Sequence, residues 1–401
     1  MPFFDVLYYA LSGIMSGVVC AWVFLIRSML MSFTLTPYLD KFAKKEHPRP
    51  KVSIIVPARN EEEFIETCLA SLINQDYEDY EIIAINDSSE DQTGNIIERM
   101  SKDSPKIIHV TARPKPEGWM GKNWACMEGF RKATGKLVLF TDADTKHQSH
   151  VVSLSVSHLL SLNLDALSVM PKMRSLDWWT RITLPIISTF LHTWFSALKV
   201  NDPAKKTGYF FGSFFIIRKE TYLQIGTHEG VRQEIVEDGA LGKKAKEGGC
   251  KIRMVKGEHL VDAVWARDRN TLWNALKRLM VPLYLQSKNM AVGIFVAVLF
   301  LLFMPFPILA YSLTILHEGG SGLALFLTSL AASVLIYAGG AIEARKGLFL
   351  SSIYGVFAPI GSMVIVLGFL CGLLQAKSDK AISWRGRVYS GKDHAQNSIN
   401  I

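Results

Sequence analysis

Long apolar segments at both ends of this 401-residue chain constrain its fold most strongly. Residues 7–26 carry no charged side chain over 20 residues, the length that an α-helix needs to cross the hydrocarbon core of a bilayer. A signal peptide is the competing interpretation, but no Lys or Arg precedes the segment and no clean small-x-small cleavage site follows it. Three further apolar segments occupy residues 291–316, 322–342 and 348–375. The sequence therefore predicts a multi-pass protein of the cell membrane.

The basic residues indicate the orientation in the membrane. They account for a formal net charge of +8 and cluster beside the apolar segments: Lys41, Lys44, Lys45, Arg49 and Lys51 follow the first, and Lys377, Lys380, Arg385, Arg387 and Lys392 follow the last. The positive-inside rule predicts that both clusters are cytoplasmic, where they contact anionic lipid rather than nucleic acid. Three full C-terminal spans would put the tail outside. Because Pro359 divides the last segment into halves too short to cross, a re-entrant hairpin there is the alternative.

These patterns predict five parts along the chain. We expect an N-terminal transmembrane anchor over residues 1–32, a basic linker over 33–50, a cytoplasmic domain over 51–288, a C-terminal transmembrane region over 289–376 and a basic cytoplasmic tail over 377–401. Within the cytoplasmic domain, residues 175–199 crowd aromatic and aliphatic side chains. This composition predicts a helix at the membrane interface, with a buried core helix as the alternative.

The middle of the chain has an α/β pattern. From residue 51 to about residue 255, short apolar runs alternate with helical patterns, which predicts a mixed, mostly parallel sheet flanked by helices. The first run, residues 52–56, is followed by Asn60 and then Glu63, which predicts a capping box at the start of the next helix.

Carboxylates follow several of the predicted strands. Asp142 and Asp144 come directly after the apolar run over residues 137–140, and Asp87 follows an earlier strand. Open α/β sheets bind ligands at the carboxyl ends of their strands, and two adjacent carboxylates suit a divalent ion that carries phosphates. Asp87 could accept hydrogen bonds from a base or a ribose. For each of these carboxylates, a turn-forming role is the alternative.

Two further sites precede or begin predicted elements. Glu237 and Asp238 open an amphipathic helix, where they either complement the helix dipole or supply a general base. Gly212 and Ser213 precede a strand, and their small side chains either let a sugar approach the backbone or allow a tight strand entry.

The ordered combination of these motifs resembles a family two glycosyltransferase of the GT-A fold. It consists of Ser53-Ile-Ile-Val-Pro-Ala-Arg-Asn-Glu-Glu62, Asp87, Thr141-Asp-Ala-Asp144 and Val236-Glu-Asp238. Two further segments, Glu117-Gly-Trp-Met-Gly-Lys-Asn-Trp-Ala125 and Trp384-Arg-Gly-Arg-Val-Tyr389, are similar to the membrane-bound branch that includes hopene-associated, carotenoid-acid and ceramide-type glycosyltransferases. The resemblance covers about residues 50–280 and the tail.

The resemblance implies a role for each motif residue. The nucleotide pocket would be lined by Pro57, Arg59, Glu61 and Asp87, and the donor would be faced by Gly121 and Lys122. Asp142 would contact ribose or metal, Asp144 would coordinate Mg²⁺ or Mn²⁺ on the diphosphate, and Asp238 would be the catalytic base beside Glu237. Many relatives carry a Gln-x-x-Arg-Trp motif that is missing here. Arg267 and Arg269 stand in the corresponding region, and either could bind the leaving diphosphate.

We therefore expect a metal-dependent, inverting glycosyltransferase that moves one sugar from a UDP- or GDP-linked donor to a lipid acceptor at the membrane. The alternatives are a processive polysaccharide synthase of the same fold, a nucleotidyltransferase and a non-catalytic membrane protein. The missing Gln-x-x-Arg-Trp motif weighs against the first, and the lack of a Gly-rich nucleotide loop weighs against the second.

Overall fold

The computed structural model describes residues 3–40, 49–376, 378, 382–384 and 386–389. The predicted basic linker and basic tail lie largely outside the described residues. The chain divides into two compact units. The apolar-helix unit comprises Met1–Thr34, Ser175–Trp194 and Ala266–Ile382, and the sheet unit comprises Leu35–Arg174, Phe195–Trp265 and Ser383–Ile401.

The described residues form twelve strands and fifteen α-helices, joined by short 3₁₀ and π segments. The strands are β1 (Val52–Ala58), β2 (Tyr80–Asn86), β3 (Ile107–Thr111), β4 (Leu137–Phe140), β5 (Thr145–His147), β6 (Ala166–Met170), β7 (Lys172–Ser175), β8 (Phe215–Arg218), β9 (Ile252–Lys256), β10 (Val261–Ala266), β11 (Ile382–Trp384) and β12 (Arg387–Tyr389). The helices are α1 (Phe3–Leu35), α2 (Ile65–Ile73), α3 (Thr93–Asp103), α4 (Gly121–Phe130), α5 (Val151–Ser161), α6 (Trp178–Ile187), α7 (Leu191–Trp194), α8 (Ala197–Asn201), α9 (Lys219–Gln224), α10 (Glu237–Glu247), α11 (Arg269–Gln286), α12 (Lys288–Val298), α13 (Pro305–Thr314), α14 (Gly320–Ile342) and α15 (Ala358–Gln375).

A seven-stranded sheet forms the centre of the sheet unit, in the order β3-β2-β1-β4-β8-β6-β9. Only β8 runs antiparallel to its neighbours β4 and β6, which confirms the predicted mixed, mostly parallel sheet. Apart from Ser53, strand β1 is apolar because both faces are covered: Ile54 packs in one buried cluster and Ile55 in the other.

The sheet brings four connections to one edge. Strands β1, β2 and β4 run parallel, so the loops that follow them leave the same edge of the sheet. Strand β8 runs the other way and pairs Phe215 with Phe140, so the loop that precedes β8 arrives at that edge too. The predicted site residues of all four connections are therefore neighbours.

One local prediction in this region was wrong. The helix after β1 begins at Ile65 rather than near Asn60, and no side chain caps it. Asn60 instead adopts φ +53°, a left-handed conformation that Asn tolerates, and its side-chain oxygen accepts a hydrogen bond from the Glu90 N–H at 2.9 Å. The strand before Asp142 ends at Phe140, so both carboxylates of the Asp142–Asp144 pair lie in the following turn.

The apolar-helix unit holds three helical segments that are long and apolar enough to cross a membrane, counted over the described residues: Phe3–Leu35, Gly320–Gly347 and Ser352–Gln375. A fourth candidate, Lys288–Phe303 with Pro305–Thr314, is bent by 56°. The alternative of a hairpin at Pro359 is wrong, because this proline lies in the first turn of α15, where a missing N–H costs nothing. The break falls at Pro305 instead.

Contacts along α1 fix the direction of the bent pair. Near the middle of α1, the Trp22 indole N–H donates to the carbonyl of Leu301 at 2.8 Å. Near the start of α1, the Tyr8 hydroxyl lies 3.2 Å from the Tyr311 hydroxyl. From α12 to α13, the chain therefore runs from the middle of α1 toward the N-terminal end of α1.

Helix α14 runs in the opposite direction to the bent pair and parallel to α1. At its start, Ser321 donates to the Asp5 carboxylate at 2.6 Å. Just beyond its end, Glu343 lies 3.1 Å from Nε2 of His192, whose ring is 4.7 Å from the Phe33 ring near the end of α1.

Helix α15 packs on α6 and α11 through glycines. A side chain at Gly361 would strike the backbone of Ile182 in α6, and one at Gly372 would come within 2.5 Å of the Lys277 carbonyl in α11. Small residues at these points let the helix backbones approach closely.

The single interfacial helix predicted over residues 175–199 is instead broken into α6, a 3₁₀ turn and α7, followed by α8 in the sheet unit. In α6, Ile182 and Ile186 are fully buried. Pro185 lies inside this helix and lacks the N–H that would bind the Arg181 carbonyl, and the regular helix ends at Ile187. The location of the segment at a membrane interface stays a prediction.

Candidate active site

A lysine bridges two predicted site carboxylates at the carboxyl edge of the sheet. Lys122 lies in the first turn of α4, and its Nζ is 2.6 Å from Oδ1 of Asp142 and 2.6 Å from Oε1 of Glu237. The three residues come from three separate segments, and Glu237 is buried. The predicted donor-facing lysine therefore also joins the turn after β4 to the start of α10.

Asp238 is held beside this bridge by backbone donors. Its Oδ2 accepts the Gly212 N–H at 2.6 Å, and its Oδ1 accepts the Gly239 N–H at 2.8 Å. A Cβ at residue 212 would lie 2.8 Å from Oδ2 of Asp238 and 3.0 Å from Nζ of Lys122. Only glycine lets the loop before β8 approach the carboxylate this closely.

Within the cluster, Lys122 is a permanent cation, whereas Asp238 is a carboxyl group that titrates near neutral pH. Burial raises the pKa of Asp238 to about 7, with a contribution from Glu237 that Lys122 partly opposes. Burial lowers the pKa of Lys122, but Asp142, Glu237 and Asp238 together outweigh it and raise the pKa well above its usual value. A carboxylate whose pKa lies near 7 is suited to general base catalysis at neutral pH.

The turn after β4 carries two partly exposed carboxylates. Ala143 is buried in the core, whereas Asp142 and Asp144 on either side of it are half-buried. The turn is fixed by the Thr145 hydroxyl, which donates to the Asp142 carbonyl at 2.7 Å. Among the described residues no group of three His, Cys, Asp or Glu side chains could hold a metal ion. Two carboxylates do suit Mg²⁺ or Mn²⁺ when substrate phosphates and water complete the coordination.

Two arginines converge on the loop after β2. Arg59 is buried, and its Nη1 donates to the Asp87 carbonyl at 2.8 Å, while its Nη2 lies 3.0 Å from Glu90. The carboxylate of Asp87 forms a bidentate ion pair with Arg387 of β12, in which Nη2 of Arg387 is 2.9 Å from Oδ1. Burial raises the pKa of Asp87, and the guanidinium of Arg387 opposes that shift.

The remaining predicted site residues of the sheet unit lie in a strand, at the starts of helices and in a loop. Pro57 lies within β1, and the Glu61 carbonyl accepts the N–H groups of Phe64 and Ile65 at the start of α2. The Ser213 carbonyl accepts a hydrogen bond from the Thr141 hydroxyl at 2.7 Å. Gly121 begins α4.

Arg267 and Arg269, the two candidates for the diphosphate, belong to the apolar-helix unit. The guanidinium of Arg269 lies 5.1 Å from the centroid of the Trp179 ring. The Arg267 N–H donates to the Thr271 hydroxyl in the capping box of α11. Their predicted contact with the diphosphate stays a prediction.

Arg387 is the residue that the sequence analysis did not assign to a site. Its motif, Trp384–Tyr389, was recognised as a family feature, but its charge was attributed to membrane topology. A possible signal was that an arginine recurs inside a motif that includes glycine and aromatic residues, which anionic lipid alone does not require.

Comparisons with known proteins agree with the geometry. Residues 53–226 match the family described as "Glycosyl transferase family 2". The 4,4'-diaponeurosporenoate glycosyltransferase of Staphylococcus haemolyticus is 24% identical over 372 residues, which cover 88% of this chain and 93% of that protein. The probable glycosyltransferase YdaM of Bacillus subtilis is 31% identical over 149 residues, and the match spans only 35% of either protein.

The solved structure of a mannosyltransferase from Pyrobaculum calidifontis, in complex with GDP-Man and Mn²⁺, has a TM-score of 0.50 and 18% identity, covering 90% of this chain and 98% of that one. At this identity the likeness bears on the fold alone. The family match lies within the residues that build the seven-stranded sheet and its carboxyl edge. This chain therefore carries a glycosyltransferase domain that belongs to family 2 and has the GT-A fold.

Proposed function

We propose that this protein is a membrane-bound, inverting glycosyltransferase that moves one sugar from a UDP- or GDP-linked donor to a hydroxyl group of a membrane lipid. The observation that carries the proposal is Asp238, a half-buried carboxyl group that the Gly212 N–H orients beside the Lys122 bridge and whose pKa is raised to about 7. The cluster thus offers a base (Asp238), a fixed cation (Lys122) and two further carboxylates (Asp142 and Glu237). It lies at the edge of the sheet where such folds bind nucleotides.

The chemistry is a single in-line displacement. Asp238 accepts the proton of the acceptor hydroxyl as its oxygen forms a bond to the anomeric carbon of the sugar. The bond from that carbon to the diphosphate oxygen breaks, and the nucleoside diphosphate leaves with the electron pair. One displacement without a covalent enzyme intermediate inverts the anomeric configuration.

Asp144 and Asp142 are the residues that would hold a divalent ion. Bound there with the donor phosphates, Mg²⁺ or Mn²⁺ would neutralise charge on the departing diphosphate. Lys122 contributes a second positive charge in the same place, because its ammonium already contacts Asp142. The related fold of the mannosyltransferase, described with Mn²⁺ and GDP-Man, is consistent with this expectation.

A lipid acceptor fits the composition of the chain. The apolar-helix unit is long enough to enter a bilayer, and the relative from S. haemolyticus takes its name from a carotenoid acid. A carboxylic acid is already ionised at neutral pH and needs no base, whereas a hydroxyl does. The poised pKa of Asp238 is why we propose a hydroxyl acceptor.

The function can be tested in membranes that contain the wild-type protein. We expect one labelled nucleotide-sugar of a panel of UDP- and GDP-linked donors to transfer a single sugar to extracted lipid, as measured by mass spectrometry. EDTA should abolish the transfer, and Mg²⁺ or Mn²⁺ should restore it. A polymeric product would indicate a processive synthase, and transfer that persists in EDTA would contradict the role of the ion.

We further propose that the sheet unit and the tail face the cytoplasm and that α15 does not cross the membrane. The bent pair α12–α13 runs from the middle of α1 toward its N-terminal end, and α14 runs back in the direction of α1, so together they cross the membrane twice. Helix α15 then packs on α6 and α11, each of which follows a strand along the chain, β7 and β10 respectively. The Arg387–Asp87 ion pair requires that residues 87 and 387 lie on the same side of the membrane, so the chain between them must cross an even number of times. The basic residues predict that this side is the cytoplasm.

Single cysteines in a background without the five native ones would test this topology with a membrane-impermeant maleimide. We expect His317→Cys to react on intact cells, because residue 317 lies between α13 and α14. Lys346→Cys and Ser378→Cys, before and after α15, should react only after permeabilisation. All three positions are exposed. Opposite accessibility of residues 346 and 378 would mean that α15 crosses the membrane.

A further inference from the structure

A short hairpin near the end of the chain delivers Arg387 to the loop after β2. Strands β11 and β12 pair with each other, and Gly386 between them adopts φ +79°, a conformation that glycine accepts without strain. Arg387 is the first residue of β12, and its side chain is 17% exposed. Three hundred residues separate it from Asp87 along the chain.

We propose that Arg387 is a positioning residue for the nucleoside diphosphate part of the donor, an inference that rests on the proposed function. Its guanidinium opposes the rise in the pKa of Asp87 that burial causes, and its bidentate contact fixes the direction in which both carboxylate oxygens point. Each oxygen retains a second lone pair, with which Asp87 can accept hydrogen bonds from the base or ribose. Arg387 therefore acts through Asp87.

The placement of the two arginines indicates that the Arg387–Asp87 ion pair serves ligand binding rather than stability. Arg387 contacts the carboxylate of Asp87, and Arg59 contacts the carbonyl groups of Asp87 and Ser88. Desolvating an ion pair costs about as much as its attraction returns, so a buried pair adds little net stability. Two guanidiniums beside one strand end do provide charge that complements an anionic diphosphate.

The alternative is that Arg387 blocks the pocket until the donor displaces it. The bidentate contact argues against this, because a competitor would have to leave a buried carboxylate without its counter-charge. The two possibilities predict opposite changes in affinity. Removing a positioning residue weakens binding of the nucleotide, whereas removing a plug strengthens it.

Titration of UDP and GDP into the purified full-length protein by calorimetry tests the inference. We expect Arg387→Gln to weaken binding of whichever nucleotide the wild type binds by about 10- to 100-fold, the range for a charge-assisted contact. Arg387→Lys keeps the charge without the bidentate geometry and should fall between the two. The matched control is Arg99→Gln, which removes an exposed ion pair with Glu66 in the same unit and should bind like wild type.

Two further measurements separate positioning from a merely structural role. In the transfer assay, Arg387→Gln should raise the KM for the donor and leave kcat within a few-fold. In an Asp87→Asn background, adding Arg387→Gln should change affinity less than twofold, because the contact is already lost. Melting temperatures of all variants identify any that fail to fold, and Arg387→Lys then carries the comparison.

The outcomes also distinguish this inference from the proposed function. Binding by Arg387→Gln within twofold of wild type, or tighter binding, would overturn the positioning role while leaving the transfer reaction intact. Weaker nucleotide binding in a protein that transfers no sugar from any donor would support the positioning role and contradict the proposed function. A wild-type protein that bound neither UDP nor GDP would contradict both.

Discussion

Replacing Asp238 by asparagine should lower the rate of sugar transfer by about 10²- to 10⁴-fold, the usual contribution of a general base. The amide has the shape of the carboxylate, and its oxygen can still accept the Gly212 N–H, so the loop before β8 keeps its place. It cannot take a proton from the acceptor hydroxyl. Nucleotide binding should survive, because the nucleotide contacts proposed here involve Asp87 and the pair Asp142–Asp144 instead.

The measurement is single-turnover transfer from the donor identified in the panel, with UDP and GDP binding measured in parallel. Glu247→Gln is the matched control: it changes a carboxylate on the same helix, α10, but one that is exposed and 4.0 Å from Lys243. Transfer by Asp238→Asn at the wild-type rate would remove the base from the mechanism. It would instead indicate an acceptor that is already ionised, such as the carboxylate in the name of the S. haemolyticus relative.

Much of the fold could be predicted because the buried parallel strands are nearly continuous apolar runs. The run over residues 52–56 becomes most of β1, and carboxylates that follow strands meet at one edge because those strands are parallel. The capping box failed for a nonlocal reason. Asn60 and Glu63 have the right spacing, but the Asn60 side chain binds the Glu90 N–H, a contact that spacing along the chain does not encode.

The apolar helices also depend on information that the local sequence pattern does not contain. Pro359 was read as a break in the last apolar segment, yet it begins α15, where a proline is compatible with a helix. The sequence pattern could not distinguish a first turn from an interior position, because the apolar residues continue on both sides of the proline. The direction of each helix relative to α1 likewise depends on tertiary contacts, which the sequence pattern does not show.

Within the candidate site, residue types could be predicted but not their pairing. The recurrence of carboxylates at element ends predicts Asp142, Glu237 and Asp238 as site residues, and the family resemblance predicts Lys122. That one ammonium contacts both Asp142 and Glu237 follows only from the folded sheet unit, which brings together residues more than 90 positions apart. Arg387 was overlooked for the same reason, since its partner lies three hundred residues away.

The bridge makes Lys122 the second residue with a large expected effect. Lys122→Met keeps the apolar stem and removes the charge that contacts Asp142 and Glu237 and that holds down the pKa of Asp238. Without that counter-charge the pKa of Asp238 should rise further, so a smaller fraction of the base is deprotonated at pH 7. We therefore expect transfer at pH 7 to fall by about 100-fold, within the usual contribution of a general base.

The pH dependence identifies the cause of that loss. A base works only when deprotonated, so below its pKa the rate falls about tenfold for each pH unit. In the wild type, the acid limb of kcat/KM should lie near pH 7. In Lys122→Met the pKa of Asp238 rises, so the limb should move to higher pH and part of the activity should return at pH 9. Lys122→Arg, which keeps the charge, should leave the limb near that of wild type, and so should Lys243→Met on α10.

A different result would assign Lys122 a different role. If Lys122→Met loses activity equally at pH 7 and pH 9, the pKa of Asp238 does not explain the loss, and the ammonium acts on the donor instead. In that case the KM for the donor should rise while the pH profile keeps its shape. The two roles require the same cation at the same place, because an ammonium between Asp142 and Glu237 lies beside both the turn proposed to bind the diphosphate and the proposed base. The shift of the acid limb, together with the KM for the donor, distinguishes them.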